Sequence, residues 1–145
     1  DRYDEKEFIA KKRAAAQEVN SVSDEIESLK NEYETLAKHW RTATSEVKKA
    51  LYMERAAHLY KRIETKESLL DQKQTRVALL TGFEAAYTRL EGADDSEALN
   101  TTDLAETVQT TLVDDQFTVS QIHTVLTALG LPEQPLFVTG DSTME

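Results

Sequence analysis

The stretch that decides the fold is residues 15–50, AAQEVNSVSDEIESLKNEYETLAKHWRTATSEVKKA. Ala15, Val19, Val22, Ile26, Leu29, Tyr33, Leu36, Trp40, Ala43, Val47 and Ala50 follow one another in alternating steps of four and three. That spacing keeps one apolar seam along one side of a helix, the a/d pattern of a left-handed coiled coil. Polar residues fill the positions between. Glu7/Lys11 and Glu34/Lys38 are i,i+4 pairs in the favourable order, each worth only a few tenths of a kcal/mol. The seam, not the pairs, must therefore hold whatever packs on the helix.

Working outward, no Gly or Pro occurs from Asp1 to Thr81. A second stripe runs Ala56, Leu59, Ile63, Leu70, Val77, Leu80, then Phe83, Tyr87 and Leu90. Lys66 and Lys73 stand where its four-three step expects apolar residues, and a base at such a position lowers stability while fixing register. Tyr52, Met53, Leu59 and Tyr60 widen the apolar surface into a second face suited to another helix. Two readings of the path stand open. The chain turns near Arg41–Ser45, where Thr42, Thr44 and Ser45 offer caps for a helix starting at Glu46. Alternatively one long helix continues to Thr81-Gly82-Phe83-Glu84, which has the form of a capping box, and bends there.

Beyond residue 90 the composition changes. All 17 Lys and Arg lie at or before Arg89, against 16 of the 27 acids up to Leu90, a net of +1; the remaining 55 residues hold the other 11 acids and no Lys or Arg. Residues 91–102 read as an acidic linker. Two short helices follow within 103–130. Thr102 or Asp103 is expected to cap the first, with stripe Leu104, Val108 and Leu112. Thr118 caps the second, with Gln121 completing a capping box, Phe117 stapling onto Ile122, and Gly130 then Pro132 ending it. Its face is Val119, Ile122, Val125, Leu126 and Leu129. Residues 131–145 read as a flexible tail in which Leu136-Phe137-Val138 is the one apolar segment. The expected organisation is thus 1–90, 91–102, 103–130 and 131–145: an all-α chain with a long coiled-coil helix or helical hairpin, then a small acidic two-helix segment.

Composition narrows the function. The chain has 145 residues, 30% charged and 39% hydrophobic, with 4 Gly, 2 Pro and 7% aromatics: one domain, or one with an extension. No Cys is present, so there is no disulfide, thiolate metal site or Cys nucleophile. No apolar run reaches transmembrane length, and the expectation is a chain without a leader peptide. His39, His58 and His123 are scattered. Glu54/His58 are four apart, whereas the di-iron motif of helical bundles needs Glu-x-x-His twice. No Gly-x-Ser-x-Gly turn and no phosphate loop occur. Asp114–Thr118 lacks the alternating ligands and central Gly of a calcium loop. The expectation is a protein that is not an enzyme and uses no cofactor or metal. Nucleic acid is not an expected partner, because the acidic part has no bases and the first part balances its bases with acids. No localisation signal is read; a soluble, intracellular setting is favoured.

Trp40, then Ala50-Leu51 and Arg55-Ala56-Ala57-His58-Leu59, are similar to a stretch of the phage-shock protein, and a long charged hairpin followed by short helices resembles that family and the ESCRT-type membrane-remodelling filaments. The resemblance carries no diagnostic motif. Asp1, Asp4, Glu5 and Glu7 occupy the place of the basic amphipathic helix such proteins lay on membranes. Spectrin-like and other coiled-coil scaffolds fit equally well. The resemblance implies a membrane-remodelling filament subunit. The residues themselves point first to a non-enzymatic scaffold subunit that assembles through its seam, with another protein or a second copy, membrane contact being disfavoured. Its expected interface comprises Val19, Val22, Ile26, Leu29, Tyr33, Leu36, Trp40 and Val47, with Val119, Ile122, Val125 and Leu129 on the acidic module. That module, rimmed by Asp103, Glu106, Asp114 and Asp115, is expected to meet a basic protein surface; the competing expectation folds it back onto the long helix of its own chain.

Overall fold

The computed structural model describes residues 4–92 and 100–134. The architecture is all-α: helices account for 88% of the described residues, with no strand among them. Two long helices, α1 (Glu5–Thr42) and α2 (Glu46–Glu91), precede two short ones, α3 (Thr101–Asp114) and α4 (Val119–Leu129). By packing, the chain divides into two compact units, residues 15–74 and residues 1–14 with 75–145. The division at residue 90 drawn from the sequence follows charge; this one follows contacts.

The helix ends follow from local chemistry. Asp4 opens α1, its carboxylate accepting from the amides of Lys6 and Glu7 at 3.1 and 3.3 Å, with Glu5 and Glu7 in the first turn and His39 and Arg41 in the last, as the helix dipole favours. The helix stops at Thr42, and the Ser45 hydroxyl accepts from the Lys48 amide at 3.3 Å to start α2. A single helix running unbroken to Leu80 is therefore not what forms; the hairpin is. The heptad hid the break because Ala43, Val47 and Ala50 fall on the seam spacing by position alone, while Val47 is 70% exposed.

In the hairpin unit, Ala15, Val22, Ile26 and Leu29 of α1 are buried, as are Leu59 and Ile63 of α2, and Leu29, Leu59 and Ile63 form one cluster with Leu36 against it. The two interrupting bases have partners across the hairpin. Lys66 Nζ lies 3.1 Å from the Glu25 carboxylate and Lys73 Nζ 2.8 Å from that of Glu18. Both members of this double bridge step by seven residues, so each bridge repeats the same antiparallel register one heptad along. Lys30 and Glu67 add a third pair at 3.4 Å.

The second unit gathers the start of α1, the end of α2, α3 and α4. Its core is dry: Ala105, Val108, Leu112, Ile122, Val125 and Leu126 are at most 1% exposed, packed with Ala78 and Ala86 of α2. Helix α2 does not bend at Thr81-Gly82; it is continuous through both, so the capping-box reading there is corrected. Gly82 instead marks closest approach, since a Cβ there would overlap Cγ1 of Val125. Small residues at 78, 82 and 86, one turn apart, let α4 seat directly on the α2 backbone. The stripe expected to continue through Phe83, Tyr87 and Leu90 is exposed.

Asn100, not Thr102 or Asp103, caps α3: its side chain accepts from the Thr102 amide at 2.7 Å. Thr118 and Gln121 make the reciprocal capping box of α4 at 3.1 and 3.0 Å, and Gly130 ends it with a left-handed φ of 71°. Phe117 packs on the cluster that contains Ile122. Between α3 and α4, Gln116 takes φ 66°. Gln134, the last described residue, is tied to α3: the buried Gln109 amide donates to its carbonyl at 3.1 Å and accepts from its amide at 2.6 Å. Residues 93–99 of the linker and 135–145, with Leu136-Phe137-Val138, lie outside the described residues.

Candidate functional site

The expected interface residues separate by position. Val22, Ile26 and Leu29 are buried in the hairpin, and Ile122 and Val125 in the second unit's core. Val19, Leu36 and Leu129 are half-buried. Tyr33, Trp40, Val47 and Val119 remain exposed. The stripes of α3 and α4 pack with Ala78, Gly82 and Ala86 of α2, the geometry of the fold-back expectation. Most of the apolar surface the sequence offered is thus consumed inside the chain. What is left exposed falls into two groups: Tyr33, Trp40, Val47, Leu51, Met53 and Tyr60 in the hairpin, and Ile9, Phe83, Tyr87, Leu90, Val113 and Val119 in the second unit.

The reason is geometric. A two-helix hairpin can shield one stripe per helix, so side chains flanking the stripe stay wet. Toward the turn these flanks are unusually apolar: Trp40 is 38% exposed, Tyr60 54% and Met53 61%, with Leu51 and Val47 beside them in sequence. On one flank Tyr33 and Tyr60 form a tilted ring pair across the helices, centroids 6.3 Å apart. Lys49 sets its ammonium 5.5 Å over the Trp40 ring, a cation–π contact that pins the indole without covering it.

The other flank is a groove between α1 and α2. Its floor is Leu36, Tyr52 and Leu59. Glu32, Thr35 and His39 form the α1 edge, and Arg55, His58 and Arg62 the α2 edge. The His39 and Tyr52 rings meet at 5.5 Å, tilted by 48°. Sequence reading singled out Met53 and Tyr60 as part of a second face; it quoted Arg55 only within the family resemblance and did not name Arg62. Those two stand seven residues apart on one face of α2, a signal visible only once the floor residue Leu59 between them is known to be buried.

The second unit carries its own groove, lined by Lys12, Thr81, Glu84, Thr88, Thr107 and Asp115 among others. Lys12 and Glu84 close on each other there at 2.7 Å, and the Thr107 and Thr111 hydroxyls donate to the backbone one turn earlier in α3. Lys12 and Glu84 thus satisfy each other, and the two hydroxyls are engaged by backbone carbonyls. Among the described residues no three His, Asp or Glu side chains converge as a metal site, and no helix is long and apolar enough to cross a membrane. No protein-family model, curated protein or solved structure matches the chain.

Proposed function

We propose that this protein is a non-enzymatic interaction subunit: its four-helix unit supplies stability, and its hairpin presents an apolar, aromatic surface near the turn to a protein partner. The observation that carries the reading is the exposed group Trp40, Tyr33, Tyr60 and Met53, whose three aromatic members are held by ring and cation–π contacts within the hairpin. Aromatic residues that are fixed yet uncovered supply contact area at small entropic cost, which is why Trp and Tyr dominate binding hot spots. The coiled-coil character of the hairpin belongs to the same proposal: its heptad-spaced bridges make it a spacer of defined register.

The test is photo-crosslinking in the native host with benzoylphenylalanine placed at Met53, at Tyr60, or at the exposed Lys61. Adducts with one defined protein from 53 and 60, and none from 61, are the expected result. Equal adducts from all three positions, or none, would overturn the reading. The membrane-filament alternative makes a separate forecast: the chain would co-sediment with anionic vesicles, and Trp40→Ala would release it.

A further inference from the structure

Two groups among the hairpin's bases differ in what they face. Lys30, Lys66 and Lys73 each sit against a Glu of the opposite helix. Arg55 and Arg62, on the α2 edge of the groove, have no ion-pair partner among the described residues. Those three Lys are used for internal register, while two guanidinium groups, the better bidentate binders of carboxylate, face an open groove. The groove is not merely charged. Leu36, Tyr52 and Leu59 give it an apolar floor, His58 stands between the two Arg, and the only acid on its edges is Glu32 of α1.

We propose that this groove binds an acidic amphipathic helix of a partner protein, laid along the hairpin as a third helix. Two antiparallel helices leave a trough whose natural filler is another helix, with apolar residues at i, i+3, i+4 and i+7 on the floor. Charge complementarity selects the rest. Arg55 and Arg62 are separated by about 10 Å along α2 at 1.5 Å per residue, so they meet carboxylates one heptad apart on the incoming helix. The opposite row faces Glu32, Thr35 and His39, and is neutral or carries a base opposite Glu32. The proposal does not depend on the Trp40 and Tyr60 surface, which lies on the other flank.

The test selects a phage-displayed library of helix-constrained peptides on the full chain. Selected peptides are expected to carry Asp or Glu at seven-residue spacing beside an apolar stripe. They should bind at least tenfold more weakly to Arg55→Glu/Arg62→Glu and to the milder Arg55→Gln/Arg62→Gln, whose exposed sites leave the helical circular dichroism unchanged. They should bind undiminished to Trp40→Ala/Tyr60→Ala and to the charge control Lys61→Glu. Absence of acidic enrichment overturns the proposal. So does an equal loss on Lys61→Glu, or a loss on the Trp40 variant instead. Binding of the chain to phosphatidylserine vesicles that the Arg variants abolish, with no acidic peptide selected, would assign the groove to a lipid surface and also overturn it.

Discussion

The two units bury their apolar residues to different depths. In the four-helix unit the six central side chains of α3 and α4 are at most 1% exposed, whereas the large buried residues of the hairpin, Val22, Ile26, Leu29, Leu59 and Ile63, stay between 6% and 8%. Four helices can enclose a core; two can only cover a seam. The difference explains where charge is used. The enclosed unit is ordered by packing, caps and two buried amides, Gln109 and the capping Gln121. The hairpin needs the heptad-spaced Lys66–Glu25 and Lys73–Glu18 bridges to choose a register, and it leaves its flanks for other contacts.

The sharpest way to test that contrast is to truncate one side chain in each unit. Leu112→Ala should cost about 3–5 kcal/mol, because the enclosed site cannot collapse around the cavity, while Ile63→Ala should fall near the lower end of the roughly 2–5 kcal/mol that such truncations cost. Urea denaturation of both variants checks this. Equal losses would mean the hairpin is as tightly enclosed as the other unit. Gly82→Ala is the next largest effect. At an ordinary helix position this change gains up to about 1 kcal/mol, but the added methyl meets Val125, so a net loss of about 1–3 kcal/mol is expected from overpacking. A raised melting temperature would contradict the close seating of α4 on α2.

The smallest effect concerns the bridges. Their side chains are 30–54% exposed, so a double-mutant cycle on Lys66 and Glu25 should give a coupling below about 1 kcal/mol that shrinks in 1 M salt. A larger, salt-insensitive coupling would mean that the pair carries stability rather than register.

Much of this fold was legible in the sequence, and the exceptions share a cause. The α1 seam from Ala15 to Leu36 was readable because large apolar residues recur at fixed steps. Thr118, Gln121 and Gly130 were readable because capping uses few residue types in fixed places. The chain reversal stood as one of two readings, since Ala43–Ser45 contains no Gly or Pro and the heptad passes over it by coincidence. The α2–α4 contact stood only as the competing fold-back expectation, and the residues that make it were missed because Ala78, Gly82 and Ala86 signal close approach by lacking bulk, while the conspicuous Phe83, Tyr87 and Leu90 drew the stripe to the exposed side. Gln109 was missed because its partner is a backbone group 25 residues away. For the candidate site, Trp40 and Tyr33 were named from the seam. The Arg55 and Arg62 edge was not, since a charged residue at i,i+7 is the ordinary state of a solvated helix face.

On this reading stability resides in the four-helix unit, while the turn end of the hairpin is held in register but left open for contact. Native-state hydrogen exchange on the free chain tests it most directly. The amides of residues 108–112 and 122–126 should exchange only on global unfolding. Those around Leu59 and Ile63 should exchange through smaller openings, and those of residues 46–53 fastest among these helical segments. Uniform protection across α1, α2, α3 and α4, or slowest exchange at the turn end of the hairpin, would contradict it.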